Sequence, residues 1–181
     1  MIFRETGLEG AFIIEPERIE DERGFFARTW CREAFERQGL ESRLEQCNIS
    51  FNKKKDTLRG MHYQVAPHEE AKLVRCTRGS IFDVIIDLRR SSRTYGRHFG
   101  VVLSEQDRNM LYIPGGFAHG FQTLADSTEV FYQMSESYHP ESARGVRWDD
   151  PAFGIEWPRA ERRLISGRDG SWPDFTDRVA R

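Results

Sequence analysis

The sequence predicts an all-β fold, built as an antiparallel sandwich or barrel with little helix. Short segments rich in β-branched and aromatic residues recur along the chain, most of them at the spacing expected of antiparallel strands. Glycine, proline and polar residues separate these segments, and only one stretch has the pattern of a helix. The predicted strands lie in AFIIEP, CNISF, TLRGMHYQ, AKLVRC, SIFDVIIDL, FGVVLS, MLYIP, AHGFQTL and TEVFYQMS.

Turn signals suggest how two of these strands connect. Arg78-Gly79 separates KLVRC from IFDVI and predicts a tight hairpin, because glycine can take the positive φ that such turns require. In that register Lys72 and Asp83 share one face, either as a surface ion pair or as a pocket lysine held by its partner carboxylate. The helix is predicted over Arg32 to Gln38.

Length and composition limit the possible classes. A chain of 181 residues without repeats or linkers predicts a single domain over 1–181, with a core that needs no disulfide or metal. The net charge of −2 gives no basic footprint for nucleic acid. Aspartates interrupt the longest apolar runs, and the start lacks a signal pattern, so no membrane association is expected. Three cysteines without metal-like spacing favour a reduced, cytoplasmic protein.

The segment TLRGMHYQ carries more polar residues than a core strand needs. Small barrels and jelly rolls often enclose one pocket, so polar residues on inward faces are candidates for it. Strict alternation places His62 and Arg59 on opposite faces. Gly60 lies between them and could carry a bulge that turns Arg59 towards the face of His62.

Two further strands carry candidate pocket residues. Tyr132 alternates with the apolar Val130 and Met134, which favours a core role, although its hydroxyl still needs a partner and a substrate could supply one. His119 shares a face with Phe121, and a lone strand histidine is more often structural than catalytic. The residues alone leave both interpretations open.

YIPGGFAHGFQ fits half of the metal-binding pattern of cupins. Pro114, Gly116 and His119 have the spacing of the second cupin motif, whereas the first motif would need His-x-His and a downstream Glu. Here His62 is followed by Tyr and then Gln64, so a ligand is missing. We interpret the chain as a cupin-type jelly-roll barrel of two antiparallel sheets, with a few short helices and no metal.

An ordered set of motifs extends this resemblance from about residue 2 to residue 175. Together they resemble the dTDP-4-dehydrorhamnose 3,5-epimerase family. The motifs are DERGFFARTW (21–30), QCNISF (46–51), TLRGMHYQ (57–64), KLVRCTRGSIFDVIIDLR (72–89), YIPGGFAHGFQTL (112–124), EVFYQMSESYHPE (129–141), GVRWDDPAFGIEWP (145–158) and ISGRD (165–169).

The resemblance implies an activity on a nucleotide-linked 4-keto-6-deoxyhexose. Such enzymes convert dTDP-4-dehydro-6-deoxyglucose to dTDP-4-dehydro-L-rhamnose, for deoxysugar and polysaccharide biosynthesis, by removing and returning protons at C3 and C5. No cofactor is expected. The family is typically a homodimer in which an N-terminal strand crosses between protomers.

Four positions match the family's catalytic residues. By resemblance, His62 is the base, and Asp169 orients it and stabilises the imidazolium. Lys72 faces the oxyanion that develops on the ketone. Tyr132 is the opposing acid.

Seven more positions match the substrate-binding residues of the family. Arg59 and His119 are expected to line the site, with Arg59 near the sugar or the diphosphate, which its guanidinium could bind in pairs of hydrogen bonds. The segment with Arg23 and Phe26 is expected to contact the nucleotide from the partner protomer. The remaining nucleotide-side matches are Gln46, Asn48 and Tyr138.

Departures from the family pattern keep alternatives open. Arg28 stands where many relatives carry an acidic residue, Cys47 and Ile49 flank Asn48 in place of Asp and His, and Arg168 replaces a lysine. The enzyme could therefore stop after C3, or use a CDP- or other NDP-linked ketosugar. Two more distant rivals are a metal-dependent cupin enzyme and a sugar-nucleotide-binding module without catalysis.

Overall fold

Strands dominate residues 1–175, which are the part of the chain that the computed structural model describes. Each segment predicted as a strand forms one, and the predicted helix is present as α1. In chain order the elements are β1 (Ile2–Glu5), β2 (Phe12–Glu15), β3 (Arg18–Asp21), β4 (Gly24–Ala27), α1 (Arg32–Arg37), β5 (Gln46–Asn52), β6 (Thr57–Gln64), β7 (Lys72–Arg78), β8 (Ser80–Asp87), β9 (His98–Ser104), β10 (Met110–Ile113), β11 (Phe117–Thr123), β12 (Thr128–Met134), β13 (Ala143–Gly145), β14 (Leu164–Ile165) and α2 (Gly167–Gly170).

The first sheet, sheet I, has the strand order β1-β2-β10-β7-β12-β5, and all neighbouring strands are antiparallel. Between β12 and β7, Tyr132 lies opposite Val74 and Met134 lies opposite Lys72. Directly opposed residues share a face, as do residues two apart on one strand. Lys72 and Tyr132 therefore lie on the same face of sheet I, one diagonal apart.

The second sheet, sheet II, has the order β13-β6-β11-β8-β9, and β14 adds to β6 in parallel. His62 on β6 lies opposite His119 on β11, and His119 lies opposite Ile85 on β8. These three residues consequently share one face of sheet II.

The two sheets face each other across one buried core. Val74 and Val130 from sheet I pack in the same cluster as Ile81, Ile85 and Phe121 from sheet II. The predicted all-β jelly-roll arrangement is thereby confirmed. Since the same faces carry Lys72, Tyr132, His62 and His119, apolar packing of the sheets brings these polar groups towards one another.

The C-terminal segment covers the outer face of sheet II. Val84 and Ile86, which point away from the inter-sheet core, pack against Val146 and Phe153, with Trp157 beside them. Between β13 and β14 this segment has no helix or strand. The same segment then reaches β14 and α2, which return to the edge of β6.

Strands β3 and β4 pair only with each other and belong to neither large sheet. Their side chains are largely exposed, including Ile19 at 70% and Phe26 at 67%. This hairpin is not among the predicted strands, because its sequence, RIEDERGFFA, is too charged to give a strand pattern.

The predicted β7–β8 hairpin is wrong. β7 pairs with β10 and β12 in sheet I, whereas β8 pairs with β9 and β11 in sheet II. Gly79 does have the expected positive φ of 77°, but it makes the corner where the chain passes from one sheet to the other. The predicted Lys72–Asp83 pairing fails with the hairpin, because the two residues lie in different sheets with other partners.

No helix among residues 1–175 is long and apolar enough to cross a membrane. The predicted domain, 1–181, extends past this part of the chain, and its last six residues lie outside the described range.

Candidate active site

A cavity of about 350 Å³ opens between the two sheets. Its wall combines apolar rings with acids, bases and amides, as expected of a site for a polar ligand. Sheet I contributes Asn48, Ile49, Ser50, Lys72, Tyr132 and Met134. Sheet II contributes Arg59, His62, Tyr63, Gln64, His119, Gly120, Phe121, Ala143 and Arg144. The connecting segments contribute Glu70 and Tyr138, and α2 contributes Arg168.

His62 is held by the C-terminal segment. Its Nε2 lies 2.7 Å from Oδ1 of Asp169, a residue 107 positions later in the chain. The carboxylate is buried and also accepts a hydrogen bond from the Gly60 amide, while the Asp169 amide donates to Ser166 Oγ at the start of α2. Donation from Nε2 leaves the lone pair of the neutral ring on Nδ1, which is the form a base needs.

The pKa of Asp169 is lowered. Burial acts to raise this pKa, but the hydrogen bond and charge interaction with His62 outweigh it, assisted by the Gly60 amide and Ser166. Asp169 therefore remains ionised at neutral pH and can stabilise a positive charge on His62.

A bulge in β6 brings Arg59 to the cavity. His119 lies opposite His62, and Phe121 lies opposite Arg59. Three residue steps along β6 therefore match two residue steps along β11. The predicted bulge at Gly60 is thus present, and Arg59 and His62 both line the cavity. The Arg59 Nε donates to Asn52 Oδ1 at 2.7 Å, which fixes the guanidinium near β5.

Lys72 has a different partner from the one predicted. Its ammonium lies 2.8 Å from Glu70 Oε1 and 3.3 Å from the His62 carbonyl oxygen. Both side chains are more than nine-tenths buried. The buried carboxylate offsets the cost of burying the ammonium.

Tyr132 approaches from sheet I, with its ring near His119 and Phe121 at centroid distances of 6.0 and 6.5 Å. Burial raises its pKa, and the charge of Asp83 raises it further. The phenol accordingly keeps its proton at neutral pH and can act as a proton donor.

His119 and Asp83 form a second buried histidine–carboxylate pair. Nε2 of His119 lies 2.5 Å from Asp83 Oδ1, and both side chains are almost fully buried. The His119 ring meets that of Tyr132 edge to face, and Asp83 is paired with His119 instead of the predicted Lys72.

The predicted nucleotide-side residues divide into two groups. Asn48 and Tyr138 line the cavity. Gln46 supports it, because its Oε1 accepts a hydrogen bond from the Tyr138 backbone amide at 3.1 Å. Arg23 and Phe26 are not among the lining residues. They lie on the separate β3–β4 hairpin, where Arg23 pairs with Asp21.

In the part of the chain that the structure describes, neither cavity histidine belongs to a group of three or more close metal-ligating side chains. Within residues 1–175, ligand atoms of His68, Glu136 and His139 come within 4.8 Å of one another. The two imidazole rings stack in nearly parallel planes 3.5 Å apart, so their lone pairs do not converge on one point. The expected absence of a metal stays a prediction.

Sequence reasoning missed several wall residues. Glu70 precedes β7 by two positions, so strand parity from Lys72 could have placed both side chains on one face. Tyr63 and Arg144 face each other across β6 and β13, a strand with no sequence signal. Ser50 lies two residues from Asn48 on β5, where parity could again have found it.

The dTDP-4-dehydrorhamnose 3,5-epimerase family matches residues 5–177. The chain belongs to this family. A member from Methanothermobacter thermautotrophicus is 47% identical over 172 residues, covering 94% of this chain and 92% of that protein.

Solved structures of the epimerase family agree in fold. The dTDP-4-dehydrorhamnose 3,5-epimerase from Elizabethkingia anophelis superimposes with a TM-score of 0.95 at 37% identity, over 98% of each chain. The epimerase from Legionella pneumophila, solved in complex with dTDP-4-keto-L-rhamnose, gives a TM-score of 0.88 at 37% identity, over 94% of this chain and 90% of that one. The cupin-type fold expected from the motifs is that of these relatives.

Replacement of Gly60 by alanine should disrupt the site. Gly60 has φ 136°, and a Cβ there would lie 2.5 Å from Gly120 Cα and 3.1 Å from the His119 carbonyl oxygen. Since both contacts are backbone, β6 and β11 must separate, and we expect a loss of about 2–4 kcal/mol in the free energy of unfolding. Urea denaturation measures this loss.

Gly167→Ala is the matched control. A Cβ at Gly167 meets nothing within 4 Å, and its φ is not positive. This variant should unfold within about 0.5 kcal/mol of the wild type. Equal stability of Gly60→Ala and Gly167→Ala would show that the bulge does not depend on glycine.

Proposed function

We propose that this protein is a dTDP-4-dehydrorhamnose 3,5-epimerase that works without a cofactor. It inverts C3 and C5 of dTDP-4-dehydro-6-deoxyglucose through enolate intermediates. The observation that carries the proposal is the placement of His62 on one sheet, held by Asp169 of α2, and of Lys72 and Tyr132 on the other sheet, around one cavity. Membership in the epimerase family supports the same reaction.

His62 is the proposed base. The carbon-bound protons next to a ketone are acidic only because the resulting enolate is delocalised, so the base must be neutral, positioned and able to hold a positive charge. The ionised Asp169 supplies the compensating charge at 2.7 Å and fixes the ring orientation.

Lys72 is the proposed stabiliser of the enolate oxygen. Removal of the α-proton moves negative charge onto the ketone oxygen, and a preorganised cation in a dry cavity lowers the energy of that state. The Lys72 side chain is only 8% exposed, which supports this role because little water screens the ammonium.

Tyr132 is the proposed acid. Inversion requires that the new proton arrive on the face opposite to the one that lost its proton. Tyr132 extends from sheet I and His62 from sheet II, so a sugar ring between the sheets presents a different face to each. The raised pKa of Tyr132 supports a protonated phenol before the transfer.

We place the nucleotide at the mouth of the cavity, towards Asn48 and Tyr138, and the diphosphate within reach of Arg59. We also propose that the protein is one domain over 1–181 and acts in the cytoplasm. Its three cysteines are free thiols, as is usual in a reducing compartment.

A homodimer would complete the site. Arg23 and Phe26 match nucleotide-binding positions but lie on an exposed hairpin outside both sheets. An exposed Phe26 at 67% and Ile19 at 70% on one small hairpin favour docking against a second copy. We propose that this hairpin reaches the cavity of the partner protomer.

Proton exchange in D2O tests the reaction. We expect the wild type to replace both the C3 and C5 protons of dTDP-4-dehydro-6-deoxyglucose with deuterium, as followed by proton NMR. His62→Ala should slow both exchanges by about 10²–10⁴-fold, because the base is lost.

The pattern of exchange separates the alternatives. Exchange at C3 alone would replace the proposal with a 3-epimerase, and exchange only with the CDP-linked ketosugar would change the nucleotide. Equal exchange by wild type and His62→Ala would remove His62 as the base.

Co-expression of two impaired chains tests the shared site. Phe26→Ala should weaken the site of the partner, whereas His62→Ala disables its own. A mixed dimer then contains one intact site, and we expect co-expressed chains to recover up to about one quarter of the wild-type rate per protomer. Each variant alone is the control, and no recovery by a verified mixed dimer would contradict a crossing hairpin.

A further inference from the structure

Glu70 is a buried carboxylate in the cavity wall, and it takes no part in the proposed proton transfers. The residue is 7% exposed, although it lies in the segment between β6 and β7. Its Oε1 pairs with the Lys72 ammonium at 2.8 Å. Its Oε2 is buried without any hydrogen-bond partner.

The Glu70–Lys72 pair leaves one ammonium donor for a ligand. Of the three N–H groups of Lys72, one faces Glu70 Oε1 and another the His62 carbonyl oxygen at 3.3 Å. Within residues 1–175, Glu70 Oε1 and the His62 carbonyl oxygen are the hydrogen-bond acceptors of the Lys72 ammonium. Glu70 thereby holds the ammonium in place while the remaining N–H is available to an oxygen of the substrate.

The unpartnered oxygen of Glu70 requires a donor. A buried carboxylate oxygen without a hydrogen bond is unfavourable, and closure of the cavity by substrate would remove the last access to water. The ketone and the diphosphate offer only acceptors, and a carboxylate repels the diphosphate. Ring hydroxyls at C2 and C3 are the donors that a 4-keto-6-deoxyhexose offers, and C3 is adjacent to the C4 ketone that Lys72 would face.

We propose that Glu70 is a sugar-binding residue whose Oε1 positions Lys72 and whose Oε2 accepts a hydrogen bond from a ring hydroxyl at C2 or C3 of the substrate. This inference rests on the proposed function and adds to it a contact that determines specificity. The contact selects sugars that carry this hydroxyl, because a sugar that lacks it leaves the buried Glu70 oxygen without a hydrogen bond.

Calorimetric binding in a His62→Ala background tests the contact, since this variant binds ketosugar without consuming it. The ligands are dTDP, dTDP-4-dehydro-6-deoxyglucose, and the analogues of this ketosugar that lack the C2 or the C3 hydroxyl. We expect His62→Ala to bind one of the two analogues about 10-fold or more weakly than the parent ketosugar.

Addition of Glu70→Met should remove this discrimination, because methionine has a similar length but no carboxylate to accept the hydroxyl proton. We expect the double variant to bind the parent and the weaker analogue within about 2-fold of each other, with the affinity for dTDP unchanged. Glu69→Met is the matched control, because it makes the same substitution at an exposed neighbour. The control should retain the full discrimination.

The outcomes distinguish failure of the proposed function from failure of the Glu70 assignment alone. If His62→Ala binds the ketosugar no better than dTDP, the proposed function fails and the Glu70 contact with it. If the ketosugar binds more tightly but both analogues match it, or Glu70→Met keeps the discrimination, only the Glu70 assignment is overturned. A parallel loss of dTDP affinity would assign Glu70 a structural role instead.

Discussion

One extra residue in β6 determines which side chains the cavity receives. A regular strand would send Arg59 and His62 to opposite faces, one into the cavity and one away from it. The bulge at Gly60 lets both line the same cavity, and it is possible because Gly60 packs directly against the backbone of Gly120. The Gly60 amide also donates to Asp169, so the residue that forms the bulge helps to hold the carboxylate that orients His62. The bulge and the His62–Asp169 pair are thus one structural unit.

Three carboxylates at the cavity each lie against a nitrogen of a neighbouring side chain. Asp169 is paired with His62, Glu70 with Lys72, and Asp83 with His119. Each partner comes from a different element, so the pairs tie the C-terminal segment, the β6–β7 connection and the neighbouring strands to the two sheets. Breaking a buried pair costs more than forming it contributes, which makes these pairs constraints on geometry rather than sources of stability. The apolar contacts of Val74, Val130 and Phe121 hold the sheets together around them.

The sequence predicts local structure well because strand patterns are local. TLRGMHYQ forms β6 over the same eight residues, and the bulge follows from a single glycine between two polar residues. Pairing between strands is not local, and the predicted β7–β8 hairpin failed because nothing in Arg78-Gly79 tells whether the chain turns back or crosses to the other sheet. The His62–Asp169 contact spans 107 residues, so only the family resemblance could anticipate it. Glu70 was missed because it lies just outside its strand.

If base and acid act from opposite sheets on opposite faces of the sugar, Tyr132→Phe separates their two steps. In D2O, deuterium incorporation at C3 and inversion at C3 can be followed in the same NMR sample. If His62 alone removes the proton, Tyr132→Phe should still exchange the C3 proton with retention of configuration, while inversion slows by about 10²–10⁴-fold. Inversion at the wild-type rate, or loss of exchange as complete as in His62→Ala, would contradict the account.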